Sequence, residues 1–357
     1  MTDAMKGRGA LSQPPGRFDK LTQTLEHDGW FEEEPPNKVE TVVMPETART
    51  VISRNQSPDI PFGQSINPYR GCEHGCPYCY ARPSHAYVGL SPGLDFETKL
   101  FYKADAAKLL ENELASPRYK CSPIMLGANT DPYQPAEKAL KVTRSILEVL
   151  LRYKHPVGVT TKGALVVRDV DLLGALARDG LTRVMFSIPT LNPDLKRILE
   201  PRAASAAAKL RAMRVLADAG VTVGVLVAPI IPVLTEHEVE SVLEAAHAAG
   251  ASLAGYTILR LPWEVKDLFR EWLAQHFPER AAHVMSIIRG MRGERDNDPN
   301  FGTRMHATGP VAELIRQRFR LASRRLGFPA ERLFHLPTNL FQPPARTHGQ
   351  LALQFTM

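Results

Sequence analysis

Val157 to Ile188 reads VGVTTKGALVVRDVDLLGALARDGLTRVMFSI, and its periodicity changes twice. A β-rich run, Val157–Thr161, gives way at 170–178 to apolar residues at helical spacing. Gly180 stops that helix before a second β-rich run, Arg183–Ile188. Strand, helix and strand within so short a stretch form a βαβ unit, whose two strands lie parallel. The strand runs are nearly continuous in apolar character, as in a sheet covered on both faces.

The same alternation extends in both directions. Further strands are expected at Ile124–Gly127, Val221–Ala228 and Leu253–Leu259, with a weaker one at Ser65–Tyr69. Helices are expected at 104–115, 136–152, 203–218 and 236–249. Gly180, Gly220 and Gly250 follow three helices as left-handed caps do. Thr235 and Glu238 have the spacing of a capping box. Right-handed crossovers curl such a sheet one way. The expected fold is therefore α/β, an incomplete (β/α)6 TIM-like barrel over 61–262; a doubly wound open sheet fits the same periodicity. Residues 1–60 read as an irregular N-terminal leader, with loop signals at Pro14-Pro15, Glu32–Pro36 and Arg54–Pro58. Trp30-Phe31 is its one apolar interruption and an expected docking point. Residues 263–357 read as a C-terminal extension, helical at Val265–Phe277 and Val311–Leu326 and turn-rich at Gly293–Phe301 and Gln342–Gln350.

Composition sets the class. The 357 residues are 44% hydrophobic and 23% charged, which fits a soluble globular chain and excludes collagenous, coiled-coil and wholly disordered ones. Lys+Arg 44 against Asp+Glu 38 leaves +6, compatible with a polyanionic partner without requiring one. No apolar run approaches the ~20 residues of a membrane span. Lys6 and Arg8 precede no apolar stretch, so no secretory signal is expected and the location expected is cytoplasmic. Four cysteines are too few for a disulfide scaffold.

Three of those cysteines crowd into Cys72-Glu73-His74-Gly75-Cys76-Pro77-Tyr78-Cys79. Thiolates spaced CX3CX2C can wrap one face of a cuboidal [4Fe–4S] cluster, which normally takes four. Cys121 is the only other cysteine. It precedes a strand whereas the loop follows one, which puts the two at opposite ends of a parallel sheet, ~20 Å apart at ~3.3 Å per residue. Cys121 is therefore expected to be an ordinary buried thiol, and the fourth iron to bind a small molecule. A tetrahedral zinc site using the three cysteines with His74, His85 or Cys121 is the alternative.

With an aromatic residue, Tyr78, just before its last cysteine, the motif resembles the cluster motif of the radical S-adenosylmethionine (SAM) superfamily. The resemblance covers about 64–262. It implies a [4Fe–4S] cluster whose open iron is chelated by the amino and carboxylate groups of SAM, and reductive cleavage of SAM to a 5′-deoxyadenosyl radical. The surrounding residues are similar to the spore photoproduct lyase-like branch: Asn67–Gly71, Tyr80-Ala81-Arg82 and Thr130–Pro135, with Thr161-Lys162 and Phe186–Ile188 shared with uncharacterised bacterial relatives of that lyase. One departure stands out. The lyase carries a hydrogen-donating cysteine in the loop after its second strand, where this sequence has Gly127-Ala128-Asn129-Thr130.

Active sites of such barrels lie where strands end. On that rule and the resemblance, the cofactor-binding candidates are Tyr78 in the loop, Thr130 and Asp131 at the SAM amino group, Lys162 at its carboxylate and Ser187 at the ribose. Pro229 and Pro232 border the adenine side. Tyr80, Arg82, His85 and Tyr87 are catalytic candidates for the substrate side, with plain packing as the other reading. Glu97 and Lys99 read as a surface pair. Arg316, Arg318, Arg320, Arg324 and Arg325 oppose a single Glu313, beside an apolar stripe of Ile315, Phe319 and Leu326. That basic amphipathic helix suits nucleic acid or is a docked helix with a solvated face. His283, His306, His335 and His348 show no metal spacing. The expected activity is hydrogen abstraction from a substrate, nucleic acid first and a peptide or protein second, with a reductant such as flavodoxin or ferredoxin as partner. The non-catalytic alternatives are an Fe–S or zinc nucleic-acid binding module and an electron carrier.

Overall fold

The computed structural model describes residues 7–19, 39–329 and 335–344. Its strands are β1 Val42–Pro45, β2 Ile52–Arg54, β3 Gln64–Ile66, β4 Tyr69–Arg70, β5 Lys99–Tyr102, β6 Ile124–Leu126, β7 Val157–Thr161, β8 Thr182–Ser187, β9 Thr222–Ile230 and β10 Leu253–Ile258. Six of them, β3, β6, β7, β8, β9 and β10, lie side by side in chain order and pair in parallel. Chain order without reversal is what successive right-handed crossovers produce; a doubly wound sheet reverses partway. The arrangement is the expected partial barrel, and it is open: β10 forms one edge and β2, antiparallel to β3, the other. One face is fully covered, since Val184 and Phe186 on β8 and Val223, Val225 and Val227 on β9 are at most 1% exposed, while Met185 and Leu226 on the other face are half-buried.

The helices are α1 Asp95–Thr98, α2 Ala106–Leu114, α3 Glu137–Leu140, α4 Val142–Arg152, α5 Val170–Arg178, α6 Pro193–Leu199, α7 Ala206–Asp218, α8 Val239–Ala248, α9 Val265–His276, α10 Pro278–Gly290 and α11 Gly309–Arg325. The helix expected over 136–152 is two, because Lys141 turns left-handed (φ 53°) between α3 and α4. The glycine caps are as expected, with Gly180, Gly220 and Gly250 all at positive φ. The capping box is not there. Thr235 accepts the Ile231 N–H at 2.8 Å, while Glu238 reaches across to the Leu191 N–H at 2.7 Å and the Thr190 hydroxyl. Tying down the turn after β8 outcompetes a local cap.

The leader is not wholly irregular. Its β1 pairs in parallel with β5, which also carries β4, and its β2 extends the main sheet. Trp30-Phe31 and His348 lie outside the described residues. In the C-terminal extension, α11 buries Ala312, Ile315 and Ala322 and packs Phe319 against Tyr256 of β10 in a tilted contact, ring centroids 4.6 Å apart. Arg318 grips Glu240 of α8 at 2.6 and 2.8 Å, and Arg325 pairs with Glu244. This is the docked-helix reading, with part of the basic face neutralised by α8.

At the N-terminal end of β7, remote from the cysteine loop, His155 is buried beside Tyr119 and Phe341. Its ring nitrogens meet the Pro156 carbonyl at 3.0 Å and the Tyr119 hydroxyl at 2.6 Å. Burial lowers its pKa to about 4, against the Pro156 hydrogen bond. A histidine that stays neutral when folded but protonates when unfolded weakens folding as pH falls. The contribution of His155 to stability should therefore fall from pH 6.5 downward and level off below about 4, a change of up to about 3 kcal/mol for this group. Urea midpoints against pH check this: the slope should flatten in His155→Gln, and an equal slope in both proteins would remove His155 as the cause.

Candidate active site

The cysteine loop leaves the sheet just beyond β3 and β4, at the C-terminal ends of the parallel strands, where barrel active sites form. Cys72 and Cys76 are buried and Cys79 is half-buried. The run Thr130–Gln134, after β6, clamps the loop. Thr130 donates its hydroxyl to the Tyr69 carbonyl at 2.7 Å. Gln134, fully buried, accepts the Glu73 N–H at 3.0 Å and donates to the Gly71 carbonyl at 3.2 Å. Asp131 accepts from the Thr161 hydroxyl (2.7 Å), the Tyr133 N–H (2.8 Å) and the Lys162 N–H (2.6 Å), and faces His74 Nδ1 at 3.4 Å. Burial acts against its charge, but His74 and these donors win and hold its pKa down to about 2. Asp131 is thus a strut between the loops after β6 and β7, with its Oδ1 taken by two donors and its Oδ2 by one. Thr130 has spent its proton on the Tyr69 carbonyl, and its oxygen keeps lone pairs for a donor.

A second buried group was not foreseen. Glu200, just after α6, is fully buried and accepts from Lys209 Nζ at 2.8 Å and from the Tyr78 hydroxyl, with Lys162 Nζ at 3.6 Å. Burial opposes its charge; the two ammonium groups outweigh that and lower its pKa to about 2. Lys162 also donates to Ser187 Oγ at 2.6 Å, and Ser187 donates to the Ala228 carbonyl at 2.8 Å. Tyr78, Lys162 and Ser187 thus come together as expected, around a carboxylate the motif did not reveal. The legible signal was Lys209. It occupies the buried stripe of α7 with Ala212, Met213 and Leu216, where a lone lysine needs an acid.

Three of the catalytic candidates turn away from the mouth. Arg82 is fully buried, donating to the carbonyls of Cys76 (2.8 Å), Pro92 (3.1 Å) and Gly93 (2.9 Å) and pairing with Glu97. His85 is buried against Phe96 with Nε2 on the Lys99 carbonyl at 2.9 Å, and burial lowers its pKa to about 4. Tyr87 is exposed but packs on Phe18 and Arg17. The Glu97–Lys99 surface pair is also corrected. Glu97 is fully buried and accepts the N–H groups of Gly9 (3.0 Å) and Ala10 (2.8 Å), while Lys99 pairs with Asp95. Residues 8–10 therefore lie over the cysteine loop, so tightly that a Cβ on Gly9 would come 1.6 Å from the Gly75 oxygen. Only Tyr80 remains at the mouth, exposed, its hydroxyl on the Ala128 carbonyl.

The family model described as the radical SAM superfamily matches residues 66–246, about half of the chain. The chain belongs to the radical SAM superfamily. It is similar to the uncharacterized protein Rv2578c of Mycobacterium tuberculosis, 35% identical over 234 residues that cover 64% of this chain and 68% of the relative. It is also similar to the uncharacterized protein ORF301 of Acidianus two-tailed virus, 31% identical over 178 residues, 49% and 58% of the two chains. Among solved structures, a spore photoproduct lyase complexed with dinucleoside spore photoproduct superposes with a TM-score of 0.58, covering 80% of each chain at 17% identity. That likeness carries the fold.

This radical SAM protein is an enzyme of that class, and its cofactors are those of the superfamily, a [4Fe–4S] cluster and SAM. The residues present fit them. Burial, then the negative charge of Asp131 and the other two thiols, pushes the Cys72 thiol up; burial also raises Cys76 and Cys79. Thiols gathered in so low a dielectric need a soft cation to ionise. Membership of the superfamily, with its [4Fe–4S] cluster, replaces the zinc alternative. Cys121 sits before β6, at the far end of the sheet from the loop, and is half-buried rather than buried. Among the described residues no helix is long and apolar enough to cross a membrane.

Proposed function

We propose that Cys72, Cys76 and Cys79 hold the [4Fe–4S] cluster and that the enzyme removes hydrogen from a nucleic-acid substrate. The observation that carries this reading is the position of the CX3CX2C loop at the C-terminal ends of the parallel strands, clamped by Thr130–Gln134. When bound, the cluster and SAM supply a 5′-deoxyadenosyl radical after one-electron reduction, with a flavodoxin or ferredoxin as donor. The chain's part is to bind, orient and keep water out. Lys162 offers an ammonium beside Cys76 and Cys79, held over the Tyr78 ring at 5.9 Å, and is the group for the SAM carboxylate. Glu200 and Ser187 orient that ammonium, and Ser187 stands where the ribose hydroxyls would lie. Asp131 and Thr130 act as positioning residues, fixing the loop in place.

The nucleic-acid assignment draws on the fold shared with the lyase and on the mildly basic charge. Gly127–Thr130 carries no thiol, so the reaction proposed is not splitting of a dimer with a cysteine hydrogen donor. In an anaerobic assay with dithionite and SAM, oligonucleotides should raise the yield of 5′-deoxyadenosine, read by mass spectrometry, above the uncoupled level. Stimulation by peptides with none by oligonucleotides would transfer the substrate to the peptide class.

A further inference from the structure

Arg260 lies at the exit of β10, the last barrel strand. It is half-buried, its Nε is buried without a hydrogen-bond partner, and its Nη1 faces only the Met305 sulfur at 2.9 Å. Thioether sulfur is a weak acceptor for a guanidinium. Nearby arginines differ. Arg292 is spread over the carbonyls of Ile258, Leu259, Arg304 and His306, and Arg304 pairs with Asp59 at 2.7 Å and Ser57 at 2.8 Å. Arg260 has no ion pair among the described residues. It is close enough to Arg304, Asp59, Tyr80 and Asp298 for their charges to act on it; burial and then Arg304 oppose its own charge, outweighing the support of Asp59, Tyr80 and Asp298. An anion meeting its Nη groups would relieve that cost.

The surroundings narrow the anion. Tyr80, one residue beyond Cys79, is 54% exposed. Phe301, 65% exposed, lies with its ring 4.3 Å from the Arg304 guanidinium, on the segment that carries Met305. Exposed aromatic rings interleaved with guanidinium groups bind single-stranded nucleic acid, bases stacking on the rings and phosphates on the cations. We propose that Arg260 takes a backbone phosphate of a single-stranded nucleic acid and Tyr80 stacks the adjoining base, delivering the strand to the cysteine loop. This subsite rests on the nucleic-acid reading above and adds where the strand is held.

The test is binding of a fluorescein-labelled oligothymidylate to the cluster-loaded protein, by anisotropy over a range of salt. Arg260→Gln should weaken binding roughly tenfold and lower the slope of log K against log salt by about one, as loss of one phosphate contact does. Arg260→Lys should keep the slope. Tyr80→Ala should weaken binding by about as much with the slope unchanged. Iron content and thermal midpoint, measured on each variant, separate these effects from misfolding. Unchanged affinity and slope in Arg260→Gln, while oligonucleotide still stimulates 5′-deoxyadenosine in the unsubstituted enzyme, overturns the subsite alone. No binding by the unsubstituted enzyme overturns both the subsite and the reading it rests on.

Discussion

Cys76→Ala should yield a protein that folds, purifies without its cluster and forms no 5′-deoxyadenosine above background. In the proposed assignment three thiolates share one cluster, and each would be the sole protein ligand of its own iron. Removing one would leave a second open corner, and the nearby carboxylates Asp131 and Glu200 are already engaged by other partners. The fold itself should survive. Cys76 is buried with Tyr78, Leu199 and Trp272 in a well-filled satellite core, and the change deletes one heavy atom, at a cost of about 1 kcal/mol. Thermal unfolding of the apo form should therefore be close to that of the unsubstituted apo protein. Iron and sulfide analysis after anaerobic reconstitution, with the visible spectrum, reads the outcome. Cys121→Ala is the control and should retain full iron, being at the other end of the sheet. Full iron in Cys76→Ala, or its loss in Cys121→Ala, would reassign the ligands.

What could be read in advance follows from how far apart in sequence the causes lie. The barrel was legible because β7, β8, β9 and β10 are each five residues or longer and alternate with helices of recognisable period. The strands β1, β2 and β5 were not, being three or four residues long and lacking a pattern that separates them from loop. Around the site, the cysteine spacing was decisive because a cluster loop is a local object. Arg82, His85 and Glu97 were misjudged for the opposite reason. A charged residue in a loop reads as solvent-facing or functional by default, and its burial depends on partners up to 89 positions away. Asp131 shows a subtler version: its position was legible, but its four partners come from three segments, so its part as a strut between loops was not.

Glu97→Ala should be the most destabilising single change in the loop's surroundings. The Arg82–Glu97 pair has no exposed surface on either side chain. Buried pairs add little over an apolar substitute, but removing one partner strands the other charge, typically at about 3–5 kcal/mol. Here the loss is larger in scope, since the Glu97 carboxylate also satisfies the N–H groups of Gly9 and Ala10, and those would be orphaned as well. Against a total stability of about 5–15 kcal/mol, such a loss is a large fraction. The same carboxylate ties residues 8–10 to the cysteine loop, so the cover over Gly75 should loosen and the cluster become easier to strip. The expected result is a fall in thermal midpoint on the order of 10 °C together with faster iron loss to a chelator. Two comparisons isolate the cause. Lys99→Ala breaks only the half-exposed pair with Asp95 and should cost less than about 1 kcal/mol. Arg82→Met combined with Glu97→Leu removes both charges and should recover part of the midpoint lost in Glu97→Ala, because no buried charge is left alone. If Glu97→Ala instead unfolds within about 1 kcal/mol of the unsubstituted protein, the buried pair does not hold the cover in place, and the contact of Gly9 with Gly75 must be maintained by Arg8, which bonds the Glu97 carbonyl at 3.0 Å and the Val39 carbonyl at 2.6 Å.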